Sequence, residues 1–439
     1  LERQLRPECM SNWAGELKID SMAYGGRGVG RRADGKVVFV PLVIPGEFVR
    51  VSTVREHRGY VDARLDEVIE ASPGRVQPGC RHFPACGGCD WQHMAYDLQV
   101  MAKDAILQEQ IEAKGIVPAR LEEPVASPRA MGYRCHATLR CARSGAFQAG
   151  FFSKLSHTLV PVEQCPVLND TCNETLHQLR VFFTRHPWAG IVDLEIHAPG
   201  EGALLRLGFR RPSVKTDRER LHALHQGLGL QGLSAVFSGG RHSEYVLGGE
   251  YCCYEVLASG KILQLRSGFG AFIQANMAVN QSLVAHVCDA LSGSEDILDL
   301  YSGSGNFGIP LSLCAGRVLA VEHDDLLVEA GRAAARDNGR DNLRFLREGV
   351  SKTVQRLEKQ GRRFHAVVLD PPREGVRGIL PGIVRLQPQK IAYISCNPST
   401  LARDLAQLAA GGYRVVSLRL FDMFPQTFHI ESVAVLERV

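Results

Sequence analysis

The strongest constraint on the fold comes from four short apolar segments in the last third of the chain. Residues 296–300, 317–321, 365–369 and 390–394 are mostly apolar, and each is followed by a polar or reactive residue. Helix-length stretches separate them, and such alternation predicts a doubly wound parallel β-sheet. Sheets of this kind bind ligands at the carboxyl ends of their strands. We therefore expect an α/β domain over residues 266–439, with its functional residues along that edge.

A glycine-rich turn follows the first apolar segment. Gly303, Gly305 and Gly308 fit the spacing Gly-x-Gly-x-x-Gly, and Glu322 ends the next segment. Glycines let a ligand approach the backbone closely, and a carboxylate at the second strand end can accept hydrogen bonds from both ribose hydroxyls. The pattern predicts a nucleoside cofactor, and its spacing fits NAD as well as other nucleosides. A tight turn without a ligand is the alternative.

Cys396 follows the last of the four segments, in the sequence Ser-Cys-Asn-Pro. Pro398 cannot continue the hydrogen bonding of a strand, so we expect the thiol on a sharp exit loop. A thiol at such a place can act as a covalent nucleophile once it is ionised. Glu431, a carboxylate near the end of the sequence, is the candidate base. From spacing alone, a buried structural cysteine and a surface glutamate are the alternatives.

The loop after the third segment reads Asp-Pro-Pro-Arg from Asp370 to Arg373. It resembles the Asp-Pro-Pro-aromatic loop of amino-group methyltransferases. Arg373 stands where that aromatic ring would stack on an exocyclic amine, which disfavours methylation of nitrogen.

Three cysteines share one short loop with the spacing C-x5-C-x2-C, namely Cys80, Cys86 and Cys89. Thiols this dense, in a chain that we expect in the reducing cytoplasm, indicate a metal site better than disulfides. A fourth ligand is required, and Cys165 is the best candidate, with Cys135 and Cys141 as rivals. Zinc and a [4Fe-4S] cluster both suit four thiolates.

The first half of the chain is harder to interpret from its pattern. Short strands with turns over residues 15–70 predict a small barrel of the OB type, and helical spacing predicts a helix near 97–114. We place domain limits at 1–73, 74–265 and 266–439. The net charge of +4 is compatible with RNA binding. We see no membrane span or signal peptide, and we expect a cytoplasmic monomer.

Taken together, these segments resemble the RNA (uracil-5-)-methyltransferase family over nearly the whole chain, most closely its 23S rRNA members. The resemblance implies an N-terminal OB-type β-barrel (TRAM) that binds RNA, a central α+β iron–sulfur domain, and a C-terminal α/β Rossmann-like class I methyltransferase domain. It favours S-adenosylmethionine over NAD, and a [4Fe-4S] cluster over zinc.

The resemblance also implies roles for individual residues. Cys396 would be the nucleophile and Glu431 the base, and Phe272, in a Phe-x-Gln-x-Asn motif, would lie near the target base. The implied contacts to S-adenosylmethionine are Gln274, Tyr301, Asn306, Glu322 and Asp370, and the implied cluster ligands are Cys80, Cys86, Cys89 and Cys165. Two positions depart from the family: Cys135-His136 replaces Asn-Lys, and Gly349 replaces an asparagine that contacts the donor in some members.

The TRAM-like module and the cysteine loop favour ribosomal RNA as the substrate, because some tRNA enzymes of the family resemble only the catalytic part. Three alternatives stay open: a tRNA uracil-5 methyltransferase, a non-catalytic RNA-binding or ribosome assembly factor that keeps the cofactor fold, and an amino-methyltransferase that acts on nucleic acid.

Overall fold

The computed structural model describes residues 13–144, 146–238 and 243–439. The first twelve residues of the predicted barrel domain therefore lie outside the described ranges. Contacts divide the chain into two units. The first holds the described residues up to Pro84 with Gly88–Gln108 and Gln426–His429, and the second holds Ala85–Gly87, Glu109–Pro425 and Ile430–Val439.

A closed five-stranded barrel forms the first part of the chain, consistent with the predicted OB-type domain. Its strands follow the order β1-β2-β3-β5-β4, and β4 pairs with β1 to close it. Gly30 must be glycine, because a Cβ there would lie 2.2 Å from Leu17 Cδ1 inside the barrel. The strands are β1 Ala14–Met22, β2 Gly28–Arg31, β3 Val37–Val40, β4 Phe48–Glu56 and β5 Tyr60–Glu70.

The predicted helix near 97–114 is α1, Tyr96–Glu112. A mixed seven-stranded sheet follows in the order β12-β11-β10-β9-β6-β7-β8, and two helices pack on it. Its topology could not be derived from the sequence pattern. The elements are β6 His136–Ser144, β7 Ala146–Phe152, β8 Leu159–Pro161, α2 Asp170–Arg185, β9 Ile191–His197, β10 Leu204–Phe209, α3 Lys215–Leu228, β11 Gly232–Phe237 and β12 Ser243–Gly248.

A two-stranded hairpin, β13 (Tyr251–Ala258) with β14 (Lys261–Gly268), comes next. Its buried side chains, including Val256 and Leu265, share one hydrophobic core with the sheet that follows it. The domain limit expected at residue 265 falls inside β14. The hairpin belongs by packing to the C-terminal domain, and the division into three domains stays a prediction.

The C-terminal domain is a doubly wound sheet of seven strands in the order β17-β16-β15-β18-β19-β21-β20. Its first five strands are parallel, and β21 runs antiparallel to both neighbours. This confirms the predicted α/β domain. Its elements are α4 Met277–Ala290, β15 Asp296–Leu300, α5 Gly308–Leu311, β16 Arg317–Glu322, α6 Asp325–Asp337, β17 Leu343–Arg347, α7 Val350–Lys359, β18 Ala366–Leu369, α8 Leu380–Arg385, β19 Lys390–Ser395, α9 Pro398–Ala410, β20 Tyr413–Phe421 and β21 Glu431–Arg438.

Two local expectations need adjustment. The helix after the glycine-rich turn is only the single turn α5, and Glu431 is the first residue of the last strand instead of preceding it. Among the described residues, no helix has the length and apolar character that crossing a membrane requires.

Candidate active site

The antiparallel pairing of the last strand brings Cys396 and Glu431 together. Ser395, the last residue of β19, lies opposite Ser432 on β21, and the Ser432 hydroxyl donates to the Ser395 carbonyl at 3.2 Å. Cys396 is the next residue along one strand and Glu431 the preceding residue of the other. Because β21 is antiparallel, its first residue lies at the carboxyl edge of the parallel strands, where the sequence placed the functional residues.

The Cys396 thiol is half-buried between charged neighbours. Burial is the main cause that raises its pKa, and the charges of Glu431 and Asp370 act in the same direction, for a pKa of about 11 in all. Arg373 opposes them through its charge and a side-chain hydrogen bond. The thiol is therefore held mainly protonated at neutral pH, and Arg373 favours its reactive anion.

The two carboxyl groups beside this thiol are both unusually basic. Glu431 is only 5% exposed, and burial, together with the charge of Asp370, raises its pKa well above its usual range. Burial also raises the pKa of Asp370 to about 7. A carboxyl group with a raised pKa gives, once ionised, a carboxylate that accepts a proton more strongly. A general base that acts near neutral pH needs this property.

Helix α9 fixes the backbone on both sides of the thiol. The Asn397 side chain caps the helix by accepting from the N–H groups of Ser399 (3.1 Å) and Thr400 (3.4 Å). Its amide donates to the Arg373 carbonyl at 3.2 Å, and the Thr400 hydroxyl donates to the same carbonyl at 3.1 Å. One cap therefore links the residue after Cys396 to the backbone of Arg373.

Asp404 and Arg403 hold the loop that carries Arg373. The buried Asp404 carboxylate accepts from the Val376 N–H at 2.9 Å and from the Tyr393 hydroxyl at 2.7 Å. Arg403 donates to the carbonyl of Glu374 at 2.9 Å. The sequence Leu-Ala-Arg-Asp, which contributed to the family resemblance, thus stabilises the loop after β18.

The glycine-rich turn follows β15 as expected. Tyr301 has φ +63° and Gly305 has φ +96°, so the chain reverses sharply at the strand end. Nothing lies within 4 Å of a Cβ built on Gly303, which leaves open space above the turn. Glu322, at the end of β16, accepts from the Gly303 N–H at 3.2 Å and from the His323 N–H at 2.7 Å. The predicted acidic residue is therefore in contact with the turn.

Several buried polar atoms lack hydrogen-bond partners among the described residues. At the turn they are Ser302 Oγ and both carboxylate oxygens of Asp299, and in the predicted ligand-binding motif Gln274 Oε1 is another. Burial raises the pKa of Asp299 well above its usual range, and the neighbouring Asp370 adds to this. Buried polar atoms are normally satisfied, so these groups fit a polar ligand with hydroxyl and amino groups such as S-adenosylmethionine.

The residues of the Phe-x-Gln-x-Asn motif have different surroundings. Phe272 is 72% exposed, which leaves its ring open to a stacking partner. Asn276 caps α4, accepting from the Val279 N–H at 3.3 Å, and donates to the Ser127 hydroxyl at 2.8 Å. Asn276 therefore serves the scaffold, and the contacts of Phe272 and Gln274 with ligands stay predictions.

Asn306 has protein partners already. Its amide exchanges two hydrogen bonds of 2.9 Å with Asn280 on α4, and its oxygen lies 3.4 Å from the Tyr254 hydroxyl. Its contact with a methyl donor stays a prediction.

The four cysteines expected to bind a metal fall in different units. Cys80 and Cys89 belong to the first unit, and Cys86 and Cys165 to the second. Within the second unit, the Gly87 N–H donates to the Phe152 carbonyl at 2.9 Å, and the Cys165 N–H donates to Asn173 Oδ1 at 2.9 Å. The rival Cys135 donates its own S–H to the Gln274 carbonyl at 3.4 Å, and burial raises its pKa to about 12.

Sequence reasoning missed Arg373 as a neighbour of the nucleophile. It treated the residue only as a missing aromatic ring. The contact arises because β18 and β19 are adjacent parallel strands, so the residues that follow them share one edge. The order of apolar segments along the chain does not reveal that pairing.

Comparison with known proteins points to one group of enzymes. A family model described as tRNA (Uracil-5-)-methyltransferase matches residues 95–439. A 23S rRNA (uracil(1939)-C(5))-methyltransferase of Salmonella typhi is 35% identical over 428 residues, covering 96% of both chains. A protein of the same name from Marinomonas sp. is 36% identical over 430 residues, covering 96% of this chain and 94% of the relative.

One solved structure has the same fold along almost the whole chain. It is the Pyrococcus abyssi tRNA (uracil-54, C5)-methyltransferase in complex with S-adenosyl-L-homocysteine, with a TM-score of 0.73 and 22% identity. The likeness covers 96% of this chain and 100% of the other.

Proposed function

This chain belongs to the tRNA (uracil-5-)-methyltransferase family, and from that membership we propose that it methylates one uridine of 23S rRNA through a covalent adduct of Cys396. Membership makes it an S-adenosylmethionine-dependent methyltransferase of uracil C5 in RNA. The observation that carries the proposed mechanism is the strand register that sets Cys396 beside Glu431.

Ribosomal RNA is the proposed substrate because two relatives named for 23S rRNA match nearly the full chain. The second candidate is tRNA, which the family description and the structural relative both name. The cytoplasmic location and the monomeric state stay predictions.

The experiment for the substrate compares cells with and without the gene. Mass spectrometry of nucleosides from purified 23S rRNA and tRNA should show that 5-methyluridine is lost from the 23S fraction and returns with the wild-type gene. A Cys396→Ala copy should not restore it. Loss from tRNA alone would favour the second candidate, and N6-methyladenosine as the dependent product would exclude uracil chemistry.

In the proposed reaction, the Cys396 sulfur adds to C6 of uracil as a thiolate. The ring then carries an enolate whose C5 would attack the methyl group of S-adenosylmethionine, and the bond between that methyl group and sulfur would break to release S-adenosylhomocysteine. Glu431 removes the C5 proton, the bond between sulfur and C6 breaks, and Cys396 returns as a thiolate. Arg373 stabilises the thiolate at the start and end of this cycle, because its charge and hydrogen bond favour the anion.

The raised pKa values of Glu431 and Asp370 bear on the proton transfers of this reaction. Glu431 is buried, so its raised pKa makes it a strong enough base to take a proton from a carbon adjacent to a carbonyl group. Asp370 lies close enough to raise the pKa of both Cys396 and Glu431. Neutralising Asp370 with a proton or a ligand would therefore favour ionisation of both reactive groups.

The target base must leave its stack to reach this edge, at a cost of roughly a few kcal/mol. The exposed ring of Phe272 would offset part of that cost by stacking on the base. Gln274, with its unsatisfied buried oxygen, together with Tyr301, Asn306, Glu322 and Asp370, would hold the methyl donor.

We further propose that Cys80, Cys86, Cys89 and Cys165 bind a [4Fe-4S] cluster. The support is the C-x5-C-x2-C spacing, a donor set of four thiols, and the hydrogen bond that anchors the backbone of Cys165. Four thiolates are the usual ligand set for this cluster. The methyl transfer needs no electron transfer, so the cluster's role would be structural.

A further inference from the structure

A compact group of three side chains lies on one face of the central sheet, away from the residues assigned above. His136 begins β6 and lies directly opposite His197, the last residue of β9. Glu195 lies two residues before His197 on the same strand. Side chains two apart on a strand share a face, and opposite residues on neighbouring strands are in contact. The register therefore forces all three side chains together.

The potential ligand atoms of this group converge. One nitrogen of each imidazole and one oxygen of the carboxylate all lie within 4.8 Å of one another. His136 Nε2 lies 3.3 Å from Glu195 Oε1, and His197 Nε2 contacts the same oxygen. A tetrahedral zinc ion with bonds of about 2.1 Å sets its ligand atoms about 3.4 Å apart. The spacing of His136 Nε2 from Glu195 Oε1 matches that value, and the direct contact between His197 Nε2 and Glu195 Oε1 would open to admit the ion.

Burial and hydrogen bonding single out the group further. The side chain of His197 is 1% exposed. His136 Nε2 is also buried, and among the described residues its 3.3 Å contact with Glu195 Oε1 does not have the geometry of a hydrogen bond. Buried polar atoms without partners are rare and call for a physical explanation. An ion between the three side chains would satisfy this nitrogen.

We propose that His136, Glu195 and His197 form a binding site for one zinc ion, separate from the cysteine ligand set. Each histidine would donate its Nε2 and Glu195 its Oε1, which leaves a fourth position for water. Arg206 Nη1 lies 3.8 Å from Glu195 Oε2 and would hold the second carboxylate oxygen, as a supporting hydrogen-bond donor does around metal ligands.

The position of this site suggests what the ion would stabilise. The residues just before His136 pair with the segment that follows Gln274: the Cys135 N–H donates to the Ala275 carbonyl at 3.0 Å. The Ala198 N–H, just after His197, donates to the Cys135 carbonyl at 2.8 Å. Zinc at this position would fix the strand ends that support the Phe-x-Gln-x-Asn segment.

The test measures zinc bound by the full-length protein, purified with its native metals. Wild type, His136→Gln and Glu195→Gln are compared with His177→Gln, an exposed histidine on α2 that serves as the matched control. After dialysis against zinc, elemental analysis should find one more zinc per chain in wild type and His177→Gln than in the other two variants, at equal iron content.

Cobalt and heat provide two further measurements. Co²⁺ bound in place of zinc should give visible absorption with nitrogen and oxygen ligands in wild type and His177→Gln, and lose that component in His136→Gln. Zinc should raise the melting temperature of wild type and of His177→Gln by a few degrees and leave that of His136→Gln unchanged. Equal zinc content and equal shifts in all four folded proteins would overturn the proposal, leaving a hydrogen-bonded His–Glu–His group.

Discussion

Among single residues, Cys396 is the one whose protonation most limits the proposed reaction. Its pKa of about 11 leaves few thiolates at neutral pH, yet only the thiolate can add to uracil. Burial and two neighbouring carboxylates cause the rise, and Arg373 is the main opposing charge. The nucleophile is therefore controlled by the protonation of Glu431 and Asp370 and by the position of one guanidinium group.

Replacing Arg373 with methionine should slow formation of the covalent adduct. A hydrogen bond to a charged group contributes about 1.5–3 kcal/mol, so we expect a loss of about ten- to a hundredfold. The measurement is the single-turnover rate of adduct formation against pH, where the rise in rate should move to higher pH. Arg373→Lys, which keeps the charge, should recover part of the rate. An unchanged pH profile in Arg373→Met would contradict this role.

Asp370 should make stability fall as the pH rises. Its folded pKa of about 7 lies above the ordinary value, so the folded state holds the proton more tightly than the unfolded state. Its stabilising contribution is complete below about pH 4 and is lost as the pH rises through 7. The melting temperature of Asp370→Asn minus that of wild type should therefore increase between pH 4 and 7 and then level off. A difference that stays constant with pH would disprove the assignment.

The reactive residues could be identified from the sequence, whereas the residues around them could not. Cys396 and Glu431 belong to recognisable motifs, and the chemistry of uracil demands a thiol and a base. Arg373 and the unsatisfied oxygens of Asp299 could not be inferred, because their importance comes from which strand ends are neighbours in space.

Among the elements, helix α9 does most to place the nucleophile. Its cap residue Asn397 directly follows Cys396 and also holds the Arg373 carbonyl. The sequence predicted that Pro398 would end the strand, and the structure adds that the same proline begins this helix. The roles of Asn397 and Pro398 are thus local consequences of sequence, whereas the link to Arg373 depends on tertiary pairing.

Asn397→Ala should reduce both stability and the rate of adduct formation. Loss of a helix cap costs about 1 kcal/mol, and the backbone beside Cys396 and Arg373 would lose its common anchor. Asn169→Ala, which removes the corresponding cap of α2, is the matched control for stability. We expect both variants to lower the melting temperature and only Asn397→Ala to slow the adduct. Equal adduct rates in the two variants would exclude a positioning role.

Strand prediction succeeded where apolar runs were continuous, as in β15, β16, β18 and β19. It could not give the direction of β21, because hydrophobicity along a strand does not encode its partner. That direction decides the site, since a parallel last strand would carry Glu431 to the opposite edge of the sheet.

At the scale of the whole molecule, the folds of the two ends of the chain were easier to predict than the fold of its middle. The barrel and the doubly wound sheet have short-range signals, namely closely spaced turns and strand–helix alternation. In the central sheet, β12-β11-β10-β9-β6-β7-β8, most neighbours are consecutive strands, but β9 pairs with β6, and β10 runs parallel to β11. No local pattern predicts those two pairings, and none shows that the β13–β14 hairpin packs into the C-terminal core.

Loss of one cluster ligand should remove iron from the whole protein. In anaerobically purified enzyme we expect about four iron atoms per chain, with Cys165→Ser losing iron and the visible absorption of the cluster. Cys141→Ser, also half-buried, is the control and should keep both. Retention of iron in Cys165→Ser together with its loss in Cys141→Ser would reassign the fourth ligand, and zinc in place of iron would exclude the cluster.

The most direct test of the central claim uses RNA that contains 5-fluorouridine, whose C5 fluorine cannot be removed as a proton is. With S-adenosylmethionine present, wild type should form a complex that survives denaturation. Mass spectrometry of its peptides should place one methylated nucleotide on Cys396, and Cys396→Ala should form no complex and lose at least about a thousandfold of its activity. Normal methylation by Cys396→Ala, or an adduct on another residue, would contradict the account.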